Sequence, residues 1–220
     1  MMLLVPLYVH PAEDPVAWRR LTEVADNLYG VVLNVADGPG AAPDQAFLEP
    51  VGALRSAGVR VLGYVDLDYG ARPAAAVARD IECHRDWYGA EGFFLDRAPA
   101  DRTGLPFVRQ VSRTARRGGA TTLVLNPGVH PAPGYLRLAD LVVTFEGHWT
   151  TYVSAFTRPA WADRQPPERL CHLVYGVPEA LLALALRTPG ERGAGVCCVV
   201  ERELPNPWAA LPPALPGKTP

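Results

Sequence analysis

The sequence carries no excess of basic charge: 21 Lys and Arg stand against 23 Asp and Glu, a net of −2 over 220 residues. That balance leaves no electrostatic footprint for nucleic acid or an anionic membrane surface. No apolar stretch reaches the roughly 18 residues that a membrane-spanning helix needs. The longest one, Ala180 to Leu186, has the length of a buried helix. The N-terminus, Met1-Met2-Leu3-Leu4-Val5-Pro6-Leu7-Tyr8-Val9-His10, lacks a basic n-region and a small-residue cleavage site, so it reads as a strand rather than a signal peptide. A cytoplasmic location is the default expectation, with secretion if a leader has been trimmed. C-x-x-C spacing is missing, and Cys83, Cys171, Cys197 and Cys198 read as reduced core residues. Adjacent Cys197 and Cys198 should face opposite sides of a strand; a Cys171–Cys197 disulfide is open if their strands adjoin.

Other signatures are missing too. No G-x-G-x-x-G follows the first apolar run, which removes the best support for a dinucleotide fold. Asp37-Gly38-Pro39-Gly40 lacks the lysine of a phosphate loop and reads as a turn. His10, His130 and His148 show neither H-x-H nor H-E-x-x-H spacing. Ser112 and Ser154 lie in helix-like segments without a nucleophile elbow. No metal and no organic cofactor are expected.

What is present is a globular composition, 49% hydrophobic and 20% charged. With 20 Gly and 23 Pro, it fits many short elements joined by turns. Eight apolar runs recur: Leu3–His10, Gly30–Ala36, Arg60–Leu67, Gly92–Asp96, Thr121–Asn126, Leu141–Glu146, Cys171–Tyr175 and Gly195–Glu201. Their near-continuous hydrophobicity predicts strands buried on both faces, as in a parallel sheet. Helix-like stretches lie between them at Pro15–Asn27, Asp44–Ala57, Pro73–Tyr88, Gly104–Arg117 and Pro178–Arg187. Asp44 is an N-cap candidate, and Gly58 a stop. Eight such units predict an α/β chain folded as a small (β/α)8 TIM-like barrel over residues 1–211. The last helix should be short or absent, and 212–220 should form a Pro-rich tail. An open doubly wound sheet is the alternative.

In a parallel barrel, function gathers at the C-terminal ends of the strands. Those ends here carry Tyr8 and His10, Asn34, Tyr64 with Asp66, Asp68 and Tyr69, Asp96-Arg97, Asn126, Glu146 with His148, Tyr175, and finally Glu201 and Glu203. Aromatic faces stack on sugar rings, while amides and acids pair with hydroxyls, so this rim predicts a carbohydrate partner. Asp96 and Glu146 each follow an apolar run and should emerge at the rim, where two carboxyls can divide the work of glycoside hydrolysis. A structural ion pair with Arg97 is the competing reading of either acid. Asp66 and Asp68 share a strand face, as a loop-end pair, a hydrogen-bonding pair or a metal site. Asp80 and Trp87 read as helix-face residues.

An ordered set of short motifs resembles the spherulation-specific family 4 (spherulin-4-like) proteins. It comprises Val5-Pro6-Leu7-Tyr8-Val9, Asn34 with Gly38-Pro39-Gly40, Gly63-Tyr64-Val65 with Tyr69 and Arg72, and Asp80-Ile81 with Trp87-Tyr88. It continues with Gly92-Phe93-Phe94-Leu95-Asp96, Leu125-Asn126-Pro127-Gly128, Ala139-Asp140, Phe145-Glu146 and Asn206-Pro207-Trp208 with Leu211-Pro212. The resemblance implies a (β/α)8 glycoside hydrolase acting on α-1,4-linked galactosamine or N-acetylgalactosamine polymers with retention of configuration. It implies Asp96 as nucleophile and Glu146 as acid/base. Tyr8, His10, Asn34, Tyr64, Asp66, Tyr69, Arg97, Asn126, His148 and Tyr175 are then expected to line the sugar cleft. Three positions depart from the family pattern: Arg97 replaces a glutamate, Leu67 a threonine and His84 a tyrosine. Arg97 is expected to lower the pKa of nearby acids and to pair with Asp96 or Glu146, or to select an anionic sugar. Two other readings remain open: a glycan-binding barrel disarmed by Arg97, and a barrel enzyme for a small anionic or phosphorylated sugar.

Overall fold

A computed structural model describes residues 1–213 and 215. Residue 214 and residues 216–220 of the expected Pro-rich tail lie outside the described residues. Eight parallel strands close into a barrel in chain order, with β8 pairing back to β1. They are β1 Met2–Pro6, β2 Leu28–Leu33, β3 Val61–Asp66, β4 Gly92–Asp96, β5 Thr122–Leu125, β6 Leu141–His148, β7 Leu170–Tyr175 and β8 Val196–Val199. Closure removes the open-sheet alternative. The helices are α1 Pro15–Glu23, α2 Leu48–Ser56, α3 Ala74–Tyr88, α4 Leu105–Arg117, α5 Trp149–Ala155 and α6 Leu182–Glu191. Between β5 and β6 the chain makes only a 3-10 turn, Pro133–Arg137, and no helix follows β8 among the described residues. No described helix is long and apolar enough to cross a membrane.

Strand alternation builds two core layers. Leu4, Val32, Leu62, Phe94, Val124, Leu141, Val143, Cys171, Leu173, Val196 and Cys198 fill the barrel interior. Their neighbours along each strand pack outward against the helices. The Cys171–Cys197 disulfide is corrected here: β7 and β8 do adjoin, but Cys171 faces inward and Cys197 outward, and all four cysteines are free. The barrel docks α3 closely. Gly63 of β3 leaves room for the His84 ring, which an added Cβ would meet at 2.6 Å. The His84 Nε2–H donates to the Tyr64 carbonyl at 2.8 Å, and burial pulls the imidazole down to about 4, so it is neutral.

Several boundaries differ from expectation for local reasons. The first strand stops at Pro6, so Tyr8 and His10 lie on the following loop. The Pro15–Asn27 helix closes at Glu23 and ends in a 3-10 turn, Ala25–Asn27. Asp44 caps a 3-10 turn, Gln45–Phe47, by accepting from the Ala46 amide, and α2 begins only after it. The Ala180–Leu186 segment is not a buried helix: Ala185 is buried, whereas Leu181 and Leu184 are exposed. It spans the end of a 3-10 turn and the start of α6, which runs on to Glu191.

Candidate active site

Alternation along three strands aims polar side chains inward at one mouth of the barrel. On β4, Phe94 faces the interior, so Asp96 does too; Asn126 follows inward Val124 by the same two-residue step. On β6 a regular alternation from Leu141 and Val143 would turn Glu146 outward. A register shift between Val143 and Phe145 inserts one residue, sends Phe145 into the outer core and brings Glu146 opposite inward Leu173.

The two carboxyls are joined by one amide. Asn126 Nδ2 donates to Asp96 Oδ1 at 2.6 Å and also to Glu146 Oε2. Two acceptors on one nitrogen lie within roughly 6 Å of each other, twice a hydrogen-bond length. The Tyr64 hydroxyl donates to the other Asp96 oxygen at 2.7 Å, and the Trp208 indole near Glu146 acts against a rise in that carboxyl's pKa. Burial, opposed by these hydrogen bonds, raises the Asp96 pKa. Burial and then the neighbouring Asp96 charge push Glu146 up to about 7. At neutral pH one carboxyl of the pair is therefore ionised while the other holds a large share of its proton.

Above this pair opens a cleft of about 630 Å³, lined by Tyr8, His10, Asn34, Tyr64, Glu146 and Tyr175 among the expected residues. Asp96 and Asn126 sit one hydrogen bond away from that lining. Residues beyond the expected set also line it, among them Asp37 and the 204–208 segment ending in Trp208. That segment folds back over the mouth. Tyr8 N donates to Trp208 O at 2.8 Å, Asn206 Nδ2 donates to Tyr8 O at 3.0 Å, and Trp208 lies edge-on to Tyr175. The signal for it was the Asn206-Pro207-Trp208 motif, which carries the family resemblance but was assigned no place in the site.

The remaining expected residues lie elsewhere on the rim. The Arg97 expectation is corrected: it pairs with neither Asp96 nor Glu146. Its Nε donates to Asp66 Oδ1 at 2.8 Å and its Nη2 to Asp66 Oδ2 at 2.6 Å, with Asp68 at 3.0 Å. The guanidinium also stacks 5.5 Å from the Tyr69 ring. Arg97, Asp68 and Tyr69 all adopt positive φ, and this tight backbone swings the cation across to β3. Burial would raise Asp66, but the Arg97 hydrogen bonds, the Asp68 amide and the charges of Arg97 and Arg72 outweigh it and hold the carboxyl below its usual range. Arg72 reaches Asp80 at 2.8 Å. The three histidines are dispersed: His10 meets Asp44, His130 packs on Phe156 and Trp161, and His148 bonds Thr150 and Glu203.

Known proteins match this architecture. The profile of spherulation-specific family 4 covers residues 2–215. Spherulin-4 of Physarum polycephalum is 34% identical over 149 residues, 66% of this chain and 44% of that protein, so the matched segment spans less than half of the relative. The crystal structure of Aspergillus clavatus Sph3 in complex with GalNAc superposes with a TM-score of 0.82 at 27% identity, covering 96% of this chain and 93% of that one. A chitinase of Rhizomucor miehei, 12% identical with a TM-score of 0.59, shares the barrel fold over 95% of this chain and 98% of its own. The molecule shares the closed eight-stranded barrel of these proteins.

Proposed function

The chain belongs to spherulation-specific family 4, and from that premise we propose that it is a glycosidase cleaving α-1,4-linked galactosamine or N-acetylgalactosamine polymers with retention of configuration. The observation that carries this reading is the Asp96–Asn126–Glu146 bridge. A separation within roughly 6 Å suits the nucleophile and acid/base pair of a retaining enzyme better than the wider spacing that admits a water in an inverting one. The GalNAc complex of the Aspergillus relative supports the sugar class.

In this reading ionised Asp96 attacks the anomeric carbon as Glu146 gives its proton to the departing glycosidic oxygen. Glu146, now a carboxylate, takes a proton from water, whose oxygen displaces Asp96 and releases the sugar. Asn126 holds both carboxyls and Tyr64 orients Asp96. Tyr8, Asn34, Tyr175 and Trp208 offer ring faces and an amide to the sugar. The engagement of Arg97 by Asp66 and Asp68 supports an active site over a disarmed one, because the cation leaves both working carboxyls free.

The test is hydrolysis of α-1,4-galactosaminogalactan oligomers by the parent and by Asp96→Asn. The expected outcome is cleavage with retained anomeric configuration by NMR, lowered by about 10³-fold or more in the variant. An Asp96→Asn variant as active as the parent would end the assignment.

A further inference from the structure

The outer ring of helices has a gap. Where a (β/α)8 barrel places a helix between its fifth and sixth strands, this chain has the 3-10 turn Pro133–Arg137 alone. Beside α4 the gap leaves a groove of about 870 Å³. A missing helix usually exposes apolar wall. This groove is instead lined by six of the protein's 21 basic residues, against one acid, Asp140.

Two of those arginines are built into the scaffold. Arg116 pairs with Asp140, and Arg169 donates to the Leu136 and Ala139 carbonyls at 2.5 Å. The others, Arg109, Arg113 and Arg117 on α4 and Arg137 on the turn, have no hydrogen bond, ion pair or ring contact among the described residues. Arg109, Arg113 and Arg117 recur at four-residue spacing, so they form a stripe with cations about 6 Å apart along the helix axis. At the same wall, Ser112 is 5% exposed and its hydroxyl lacks any partner, even the backbone carbonyl one turn earlier. Converging guanidiniums repel one another, and a chain of net charge −2 gains nothing in solubility from gathering them there.

We propose that this groove binds an acidic polysaccharide through its carboxylate or sulfate groups. Guanidinium forks match planar or tetrahedral oxyanions bidentately, and the stripe suits charges repeated along a chain. No aromatic residue lines the groove, so nucleic-acid bases would have no ring to stack on. A neutral sugar would lack one as well, which leaves the anionic substituent as the recognised feature. Asp140 and Arg169 immediately precede β6 and β7, so the groove opens toward the N-terminal ends of the strands, away from the Asp96–Glu146 mouth. It therefore serves as an anchor independent of the catalytic cleft.

The test is calorimetric binding of a heparin-derived octasaccharide and an alginate oligosaccharide at low salt. Neutral dextran, free sulfate and a single-stranded oligonucleotide are compared alongside. The parent should bind at least one of the two acidic glycans, while dextran and free sulfate stay silent. The double variant Arg113→Glu/Arg117→Glu changes exposed side chains without partners, so its melting temperature should hold while affinity falls about tenfold or more and the salt dependence flattens. Unchanged affinity in that variant would overturn the proposal. So would oligonucleotide binding tighter than either glycan, free sulfate binding as tightly as the octasaccharide, or no glycan binding at low salt. The readout is binding, so its failure is distinct from any failure of hydrolysis.

Discussion

Asp66 and Asp96 are the same residue type, paired across neighbouring strands in register at one rim, yet their carboxyls are driven in opposite directions. Asp66 has a cation: the Arg97 fork holds both of its oxygens, and the acid stays ionised far below neutrality. Among the described residues, Asp96 is hydrogen-bonded by neutral donors, the Tyr64 hydroxyl, the Asn126 amide and the Arg97 backbone N–H, and shares its surroundings with a second carboxyl. Hydrogen bonds from neutral groups offset part of the burial cost without supplying a counter-charge. The rim is thereby divided into a paired half on β3 that holds its geometry and a poised half on β4 to β6 with a proton to trade. What separates the halves is the direction in which Arg97 leaves the end of β4.

The largest effect expected of this division is on turnover. Glu146→Gln keeps an acceptor for Asn126 but removes the transferable proton, and kcat on oligomers should fall by about 10²- to 10⁴-fold. In the parent, the alkaline limb of the rate profile should fall near the Glu146 value of about 7, since a general acid must enter protonated. A limb near pH 4 to 5, the ordinary range for a carboxyl, would break the comparison.

The same substitution tests stability, with the sign fixed by linkage. The folded state raises Glu146 from 4.5 to about 7. The folded chain therefore holds a proton that the unfolded chain has released across that window, and stability falls as pH rises from about 4.5 to 7. Above it the loss approaches about 3 kcal/mol, from the shift at ~1.4 kcal/mol per unit. Glu146→Gln should therefore raise the melting temperature by several degrees, on the order expected for that energy, at pH ~8 and leave it unchanged at pH ~4. Equal melting curves at both pH values would show that the carboxyl is not strained by its site.

Much of this organisation was legible in the residues. Eight apolar runs with helix-like stretches between them predict a barrel by their number, while burial on both faces alone also fits an open sheet; the strand ends singled out Asp96, Asn126 and Glu146, which the structure brings into one hydrogen-bonded group. Two things were hidden. The irregularity after Val143 leaves no mark in composition, although it alone turns Glu146 inward. The partner of Arg97 depends on positive φ at Arg97 itself and at Asp68 and Tyr69 on the loop after β3, non-glycine positions that residue type does not announce. Trp208, quoted only within a family motif, was given no site role because strand-end logic searches strands, and its segment crosses the mouth only after the last one has ended.

The smallest effect is the sharpest discriminator. Arg97→Gln removes the counter-ion of Asp66 and Asp68. Arg97 is about two-fifths exposed, 42% at its side chain, so solvent screens the pair and the stability cost should stay near or below about 1 kcal/mol. Its pH dependence runs opposite to that of Glu146→Gln. A depressed carboxyl contributes stability that is present above its unfolded value, near 3.9, and is lost as pH falls through the lower folded one. The parent and Arg97→Gln should thus differ in melting temperature at pH ~7 and converge in strong acid. A second readout follows from Asp66, whose charge raises the Asp96 pKa. Unneutralised, Asp66 should move the acidic limb of the rate profile upward while the plateau changes little. Loss of the plateau with an unmoved limb would place Arg97 among the groups that touch the sugar, and the line between the paired and poised halves of the rim would have to be redrawn on the other side of β4.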